Sequence, residues 1–280
     1  MKPLDVLEKI IGSREVLYTL LILAIILPIL NPIGLPVTIS SRTLAVYDYI
    51  QKLKPGCHIW MEINYEVAAR GELEPAAIAL IKQLFDKGCK IVFVSTAAYG
   101  PLVFSLLQSM APDVFAGKKY GIDYVFLGYV SGGEAAVASL ARSVTGTVST
   151  DNYGNPVSEL PLIREANKAT DYDLAIIVTS ATDTINYYVR QWFTPYHVPL
   201  LFVVLSVIAP SIEPFVAAGQ AIGMLTGQRA AAEYEVLVGR KGLGLAAMDA
   251  QSISHLLILI FILIGNIVYW VKRSSQKSKR

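Results

Sequence analysis

The sequence predicts an α/β fold: a parallel five- or six-stranded Rossmann-like sheet in a three-layer domain, held between two transmembrane helices. Three observations predict it. Short β-branched apolar runs alternate with helical patterns across residues 42–239, as in successive βαβ units. A long uncharged apolar stretch stands near each end of the chain. The composition, 54% hydrophobic against 16% charged in 280 residues with a mean hydropathy of +0.49, is too apolar for an ordinary soluble domain.

The first apolar stretch, residues 16–33 (VLYTLLILAIILPILNPI), has the length of a membrane span. Pro28 and Pro32 are expected to kink or end its helix, with Asn31 at the interface. It lacks a small-x-small cleavage site, which favours an uncleaved anchor over a signal peptide. The second stretch, residues 253–271 (ISHLLILIFILIGNIVYWV), finishes in Tyr269 and Trp270, residues suited to the membrane interface. Lys272, Arg273, Lys277, Lys279 and Arg280 follow at once, and such a basic tail places the C-terminus (residues 272–280) in the cytoplasm. Two spans return the chain to its starting side. The N-terminal segment 1–15, with Lys2, Lys9 and Arg14, is therefore expected in the cytoplasm too, and the domain of residues 42–239 outside it. Residues 240–252 form a Gly-rich connector. The apolar run 198–207 (VPLLFVVLSV) is too short to cross and is bracketed by Pro199, Pro210 and Pro214, so it reads as a strand buried on both faces.

Within the domain, strands are expected at 58–64 (HIWMEIN), 90–95 (KIVFVS), 122–127, 174–179 (LAIIVT) and 198–207. Helices are expected at 74–86, 102–110, 132–144 and 184–193, and 214–225 with 229–238 complete the domain. Residues 145–170 are rich in Thr, Ser, Asn, Gly and Pro, and long for a loop inside a compact domain, which marks a functional or mobile segment.

In an open parallel sheet, ligands bind beyond the carboxyl ends of the strands where the strand order reverses. That rule nominates Asn64 and Glu66 after the first strand, Ser95 and Thr96 after the second, Ser131, Gly132, Gly133 and Glu134 after the third, and Ser180 and Asp183 after the fourth. Ser131-Gly132-Gly133 can cradle an anion or simply start a helix. His58 and His197 precede strands and His255 lies in the second span, which disfavours a Ser–His–Asp triad; a Ser–Lys pair would need Lys118 or Lys119 to fold onto Ser95 or Ser180. Glu66, Glu134 and Asp183 can suit a cation or acid–base chemistry, but solvated strand-end acids and helix N-caps are the favoured reading. No metal site and no cofactor is assigned.

Cys57 and Cys89 each follow a glycine and precede a strand, so they lie close together if those strands are neighbours; a disulfide and a pair of buried thiols both remain open. The Gly/Ala-rich segment from Gly219 carries Arg229, Glu233 and Glu235 on a helix that packs either on its own domain or on another subunit. With the intramembrane polar residues His255 and Asn266, these are candidates for a homo-oligomer interface. A net charge of +2 gives no nucleic-acid footprint. The partners expected are membrane lipid, further copies of the chain and other membrane proteins.

Five phrases carry a resemblance: NPIGLP from Asn31, LGYVSGGEA from Leu127, DNYGNP from Asp151, the segment from Gly219 to Glu235, and MDAQS from Met248. Over nearly its whole length the chain resembles a family of uncharacterised prokaryotic membrane proteins with two end anchors around an α/β domain. The resemblance implies that architecture and no particular activity. The phrase GQAIG from Gly219 is similar to one in periplasmic solute-binding domains. The functional expectation is a membrane-tethered oligomeric scaffold or binding module, leaning away from an enzyme; the alternatives are a membrane-bound serine-type hydrolase or peptidase and an extracytoplasmic small-solute sensor.

Overall fold

The computed structural model describes residues 12–277. The expectations for Lys2, Lys9, Lys279 and Arg280 lie outside the described residues. The chain forms two units, an α/β domain of residues 37–240 and a helical unit made of the chain before it and after it.

The domain runs α1 (Ser41–Gln51), β1 (His58–Asn64), α2 (Arg70–Asp86), β2 (Lys90–Ser95), α3 (Gly100–Met110), β3 (Tyr124–Tyr129), α4 (Glu134–Arg142), β4 (Leu174–Thr179), α5 (Thr182–Tyr188), β5 (Leu200–Val204), α6 (Ala209–Ala217), β6 (Gly223–Thr226) and α7 (Gly227–Leu237). Its six strands form one sheet in the order β3-β2-β1-β4-β5-β6, and every pairing is parallel. This is the Rossmann order, and it reverses between β1 and β4.

Alternation along the strands divides the core into two layers. Ile59, Met61 and Ile63 of β1 pack with α1, α2, α3 and α7 on one face. Trp60 of β1, with Val92, Ile177 and Phe202 of its neighbours, packs on the other face against α4, α5 and α6. Burial on both faces explains why β4 and β5 consist wholly of buried residues, all apolar except Thr179 at the end of β4. The run 198–207 is thus the fifth strand, trimmed to Leu200–Val204; Val207 beyond it is exposed.

Three local expectations are corrected. β3 starts at Tyr124, because Asp123 turns back on Lys119 through its N–H (2.8 Å) and its carboxylate (2.7 Å) and takes Ile122 out of the ladder. The expected helix over 214–225 stops at Ala217: Gly219 follows with φ 73°, and the Ile222 N–H joins the Leu200 carbonyl (2.8 Å) to start a sixth strand. The helix after β4 passes at Val189–Phe193 into a π-helical turn.

The two cysteines meet at the amino edge of the sheet. His58 pairs with Lys90, which brings Cys57 and Cys89 to a Cα separation of 4.6 Å, and a disulfide joins them. On the same edge, Glu165 pairs with Lys90 and lies within hydrogen-bond distance of His58 Nε2 (3.2 Å).

In the helical unit, the N-terminal helix covers Arg14–Leu30, with Ser13 capping the Val16 N–H (3.3 Å). It ends three residues before the expected limit of the span; 17 residues reach about 25 Å, less than a hydrocarbon core of about 30 Å. The C-terminal helix covers Leu243–Lys277, and its portion Leu243–Ser274 is the one helix among the described residues long and apolar enough to cross a membrane. Most of the expected connector 240–252 is therefore helix. The two helices pack on each other. Asp249, fully buried, accepts the backbone N–H groups of Gly34 (2.8 Å) and Leu35 (2.9 Å) and so ties the segment after the first helix to the second.

The disulfide closes a loop with a sequence separation of 32, for which chain entropy gives about 3–4 kcal/mol. Urea unfolding of the detergent-solubilised chain, followed by fluorescence of the buried Trp60 and Trp192, is expected to shift to lower denaturant by about that free energy on reduction or in a C57A/C89A double variant. An unchanged midpoint would show that the two sulfurs are not bonded.

Candidate functional site

The strand order reverses between β1 and β4, so the rule for open α/β sheets directs attention to the carboxyl ends of these two strands. β1 carries an acid in its interior, Glu62, which is fully buried. An isolated carboxylate there would be very costly, and the neighbouring elements supply donors for it. Oε1 accepts the Thr96 N–H (2.7 Å) and the Thr96 hydroxyl (2.7 Å), from the residue just after β2. Oε2 accepts the hydroxyl of Tyr188 in α5 (2.7 Å), and that oxygen in turn accepts the Trp60 indole N–H (2.8 Å). The Asn64 amide donates to Thr96 Oγ1 (3.0 Å) and to Thr184 Oγ1 (3.0 Å), while the Tyr99 hydroxyl reaches Asn64 Oδ1 (3.4 Å).

The Thr96 N–H and hydroxyl and the Tyr188 hydroxyl all donate to the carboxylate, which is the polarity an ionised acceptor requires, while the Asn64–Thr184 bond branches away from it. Burial nonetheless pushes the Glu62 carboxyl above its ordinary value, against the pull of Thr96, Tyr188 and Asn64. Burial and then the Glu62 charge raise the Tyr188 phenol far up and keep it a donor. Tyr99 is raised as well, by burial first and then by Glu66 and Glu62.

Of the residues nominated from sequence, Asn64 and Thr96 meet in this network, and Glu66 is exposed beside it. Ser180 continues the edge, its N–H on the Asn64 carbonyl (3.2 Å), and Asp183 is exposed at the start of α5. Ser95 is fully buried, its Oγ donating to the Ala97 carbonyl (3.1 Å), and a side chain on Gly100 would meet that Oγ at 2.1 Å. His58 lies level with Lys90, five residues before Ser95, so about 16 Å of strand separates the imidazole end of the sheet from this serine. Ser131, Gly132 and Gly133 stand apart from the network, beyond β3, and Glu134 is held by Gln191 (2.9 Å) and Arg190 (3.4 Å). Glu66, Glu134 and Asp183 do not converge: among the described residues no three His, Cys, Asp or Glu side chains are grouped to hold a metal.

Thr96 with Glu62 has the outline of a hydroxyl and a base. Asn64, however, donates to the same Thr96 oxygen and Glu62 is fully engaged by its donors, so the network holds the ends of β1 and β2 and the start of α5 together. Glu62, Tyr188, Trp60 and Thr184 were not found from sequence. A lone acid inside the apolar strand HIWMEIN was the available signal.

The oligomer candidates divide. Glu233 and Glu235 are both buried in the chain, so neither side chain is presented at its surface. Glu233 accepts the Ser40 N–H (3.0 Å) and hydroxyl (2.7 Å), so it holds the start of α1, and its Oε1 takes Arg229 (2.9 Å), whose side chain is otherwise exposed. Burial opposes ionisation of Glu233, but hydrogen bonds from Thr43, Ser40 and Arg229 outweigh it and hold the carboxyl below the usual range. Tyr234 of the same helix donates to Gln83 of α2, so α7 packs on its own domain. His255 and Asn266 are exposed on the C-terminal helix, Asn266 donating to the Ile262 carbonyl of its own helix (2.8 Å).

Glu62→Leu leaves the Thr96 N–H and the Tyr188 hydroxyl without their acceptor and is expected to cost about 3 kcal/mol or more of unfolding free energy. The folded-state value of Glu62 lies above its unfolded value of 4.5, so its stabilising contribution is complete below that pH and is lost as pH rises through the folded-state value. The unfolding midpoint of the unmodified chain is therefore expected to fall across that window and Glu62→Gln to flatten the fall. Identical pH profiles for the two would rule out titration of this carboxyl.

Compared with protein-family models, with curated proteins and with solved structures, the chain matches none.

Proposed function

We propose that the protein is a membrane-tethered binding module and scaffold, with two spans, both termini in the cytoplasm, an extracytoplasmic α/β domain and self-association through the C-terminal helix; membership of the two-span family it resembles is part of the same proposal. The outward surface of the C-terminal helix carries it. Leu256, Leu259, Ile262, Leu263, Ile267 and Trp270 are all exposed there, a surface that lipid satisfies and water does not. Tyr18, Ile22, Ile26 and Leu30 of the N-terminal helix are exposed as well. Packing of that helix on the C-terminal one, with the Asp249 tie, supports entry of both into the bilayer, the shorter helix being accommodated by Asn31 and the residues after it at the interface.

The Cys57–Cys89 disulfide supports an oxidising compartment for the domain, and Lys272 with Arg273 supports a cytoplasmic end for the helix. His255 and Asn266 lie about three turns apart and so on one stripe of the helix. His255 makes no hydrogen bond among the described residues, and a polar group facing lipid gains from a partner helix. A second copy presents the same two groups at the same depth. For the domain, the closed network at the strand ends disfavours catalysis at that point, because the Thr96 hydroxyl and the Glu62 carboxyl are both engaged.

Two measurements test the proposal. In sealed vesicles of defined orientation, protease is expected to cut the domain only from the extracytoplasmic face; cleavage only from the cytoplasmic face would overturn the topology. In mild detergent the particle mass is expected to be a multiple of the chain mass and to fall toward one chain in an H255L/N266L double variant. A strict monomer for the unmodified chain would end the assembly proposal.

A further inference from the structure

The carboxyl edge of the sheet has a second feature, which the Glu62 network does not use. Beyond β3 an open groove of about 510 Å³ lies between residues 127–131 and residues 147–152, with Pro101 at its margin. Its volume falls within the range of small-molecule sites, about 300–1,000 Å³. Two phrases singled out in the sequence, LGYVSGGEA and DNYGNP, are separated by 15 residues and both contribute to the lining, through residues 127–131 and through Asp151 and Asn152.

The lining contains no Lys, Arg or His, and its one acid is Asp151. That carboxylate is already occupied: it accepts the Tyr120 hydroxyl (2.6 Å), the N–H groups of Tyr153 (2.9 Å) and Asn155 (2.8 Å), and the Asn155 amide (3.0 Å). Burial opposes its ionisation, but these donors prevail and hold it below the usual carboxylate range. Asp151 therefore builds the wall and has little capacity left for a ligand. Thr147 spends its hydroxyl on the Ser143 carbonyl (2.7 Å), and the polar side chains left in the lining are five neutral ones, Ser131, Ser149, Thr150, Asn152 and the half-exposed Tyr129. None of these five side chains makes a hydrogen bond among the described residues. The walls also approach closely. Gly128 has φ 87°, and a Cβ there would come within 3.2 Å of the Asn152 side chain.

We propose that this groove binds a neutral polyhydroxylated molecule of the saccharide or polyol class. Unpaired hydroxyl and amide groups match a ligand rich in both donors and acceptors, and the aromatic ring offers an apolar face to its C–H surface. The absence of a basic side chain from the lining disfavours phosphates and carboxylates, and the engaged state of Asp151 disfavours ammonium compounds. The proposal names a ligand class for the binding module above, but it does not depend on the membrane topology or on self-association.

The full chain, purified in a polyoxyethylene detergent that carries no sugar, is titrated with glucose, trehalose, maltose and myo-inositol by saturation-transfer NMR, with glucose 6-phosphate and glutamate as charged controls. At least one neutral compound is expected to saturate with a Kd of about a millimolar or below, with the charged controls weaker by about tenfold or more. Asn152→Ala is expected to weaken binding by about tenfold at an unchanged unfolding midpoint, and Gly128→Ala to weaken it by moving the wall. No saturation by any neutral compound, equal binding of the charged controls, or unaltered binding by Asn152→Ala would overturn the proposal. Each of these leaves the vesicle proteolysis and particle-mass results untouched, so failure here is distinguishable from failure of the tethered arrangement.

Discussion

A carboxylate buried in the central strand of a parallel sheet constrains everything around it. Glu62 has no exposed surface, and its desolvation is tolerable only while three donors converge on it. Those donors come from the chain just after β2 and from α5, so the end of one neighbouring strand and the helix after the other must both be in register with β1. The aromatic cluster follows from this. Tyr188 can direct its hydroxyl at Glu62 because Trp60 fills the acceptor side of that oxygen, and the Trp60 and Trp192 rings pack with centroids 4.8 Å apart. The disulfide joins the starts of β1 and β2, and the Glu62–Thr96 bonds join their far ends.

The carboxyl edge is thereby divided into two regions of different character. At the switch point the polar groups are consumed by one another. Beyond β3, one turn built on Asp151 leaves a row of neutral side chains uncommitted. The same chemistry, a buried carboxylate collecting donors, serves both regions. In the first it closes a network, and in the second it shapes a wall whose outer groups stay free.

How far the fold could be read from residues depended on how local the determining forces were. β1, β2 and β4 match their expected limits, because each is an apolar run stopped by polar or turn-forming residues. β6 was missed because its four residues, GMLT, carry little strand signal of their own and pair only because β5 offers a free edge. The Gly-rich stretch before the second apolar segment reads as a connector, yet it is helical from Leu243, where Asp249 has backbone donors to hold. In the candidate site, Asn64 and Thr96 were found by their position at strand ends, whereas Tyr188 and Thr184 lie on a helix far along the chain.

The residues alone determined the alternation of strands and helices, the apolar character of both ends and the matching placement of the two cysteines, because periodicity, length and hydropathy act over a few turns or strands. Only the tertiary structure decided the strand order, the sixth strand, the inward direction of Glu233 and Glu235, and the partners of Glu62. Each of these depends on which distant group shares a buried space, and where desolvation is costly that pairing decides the arrangement.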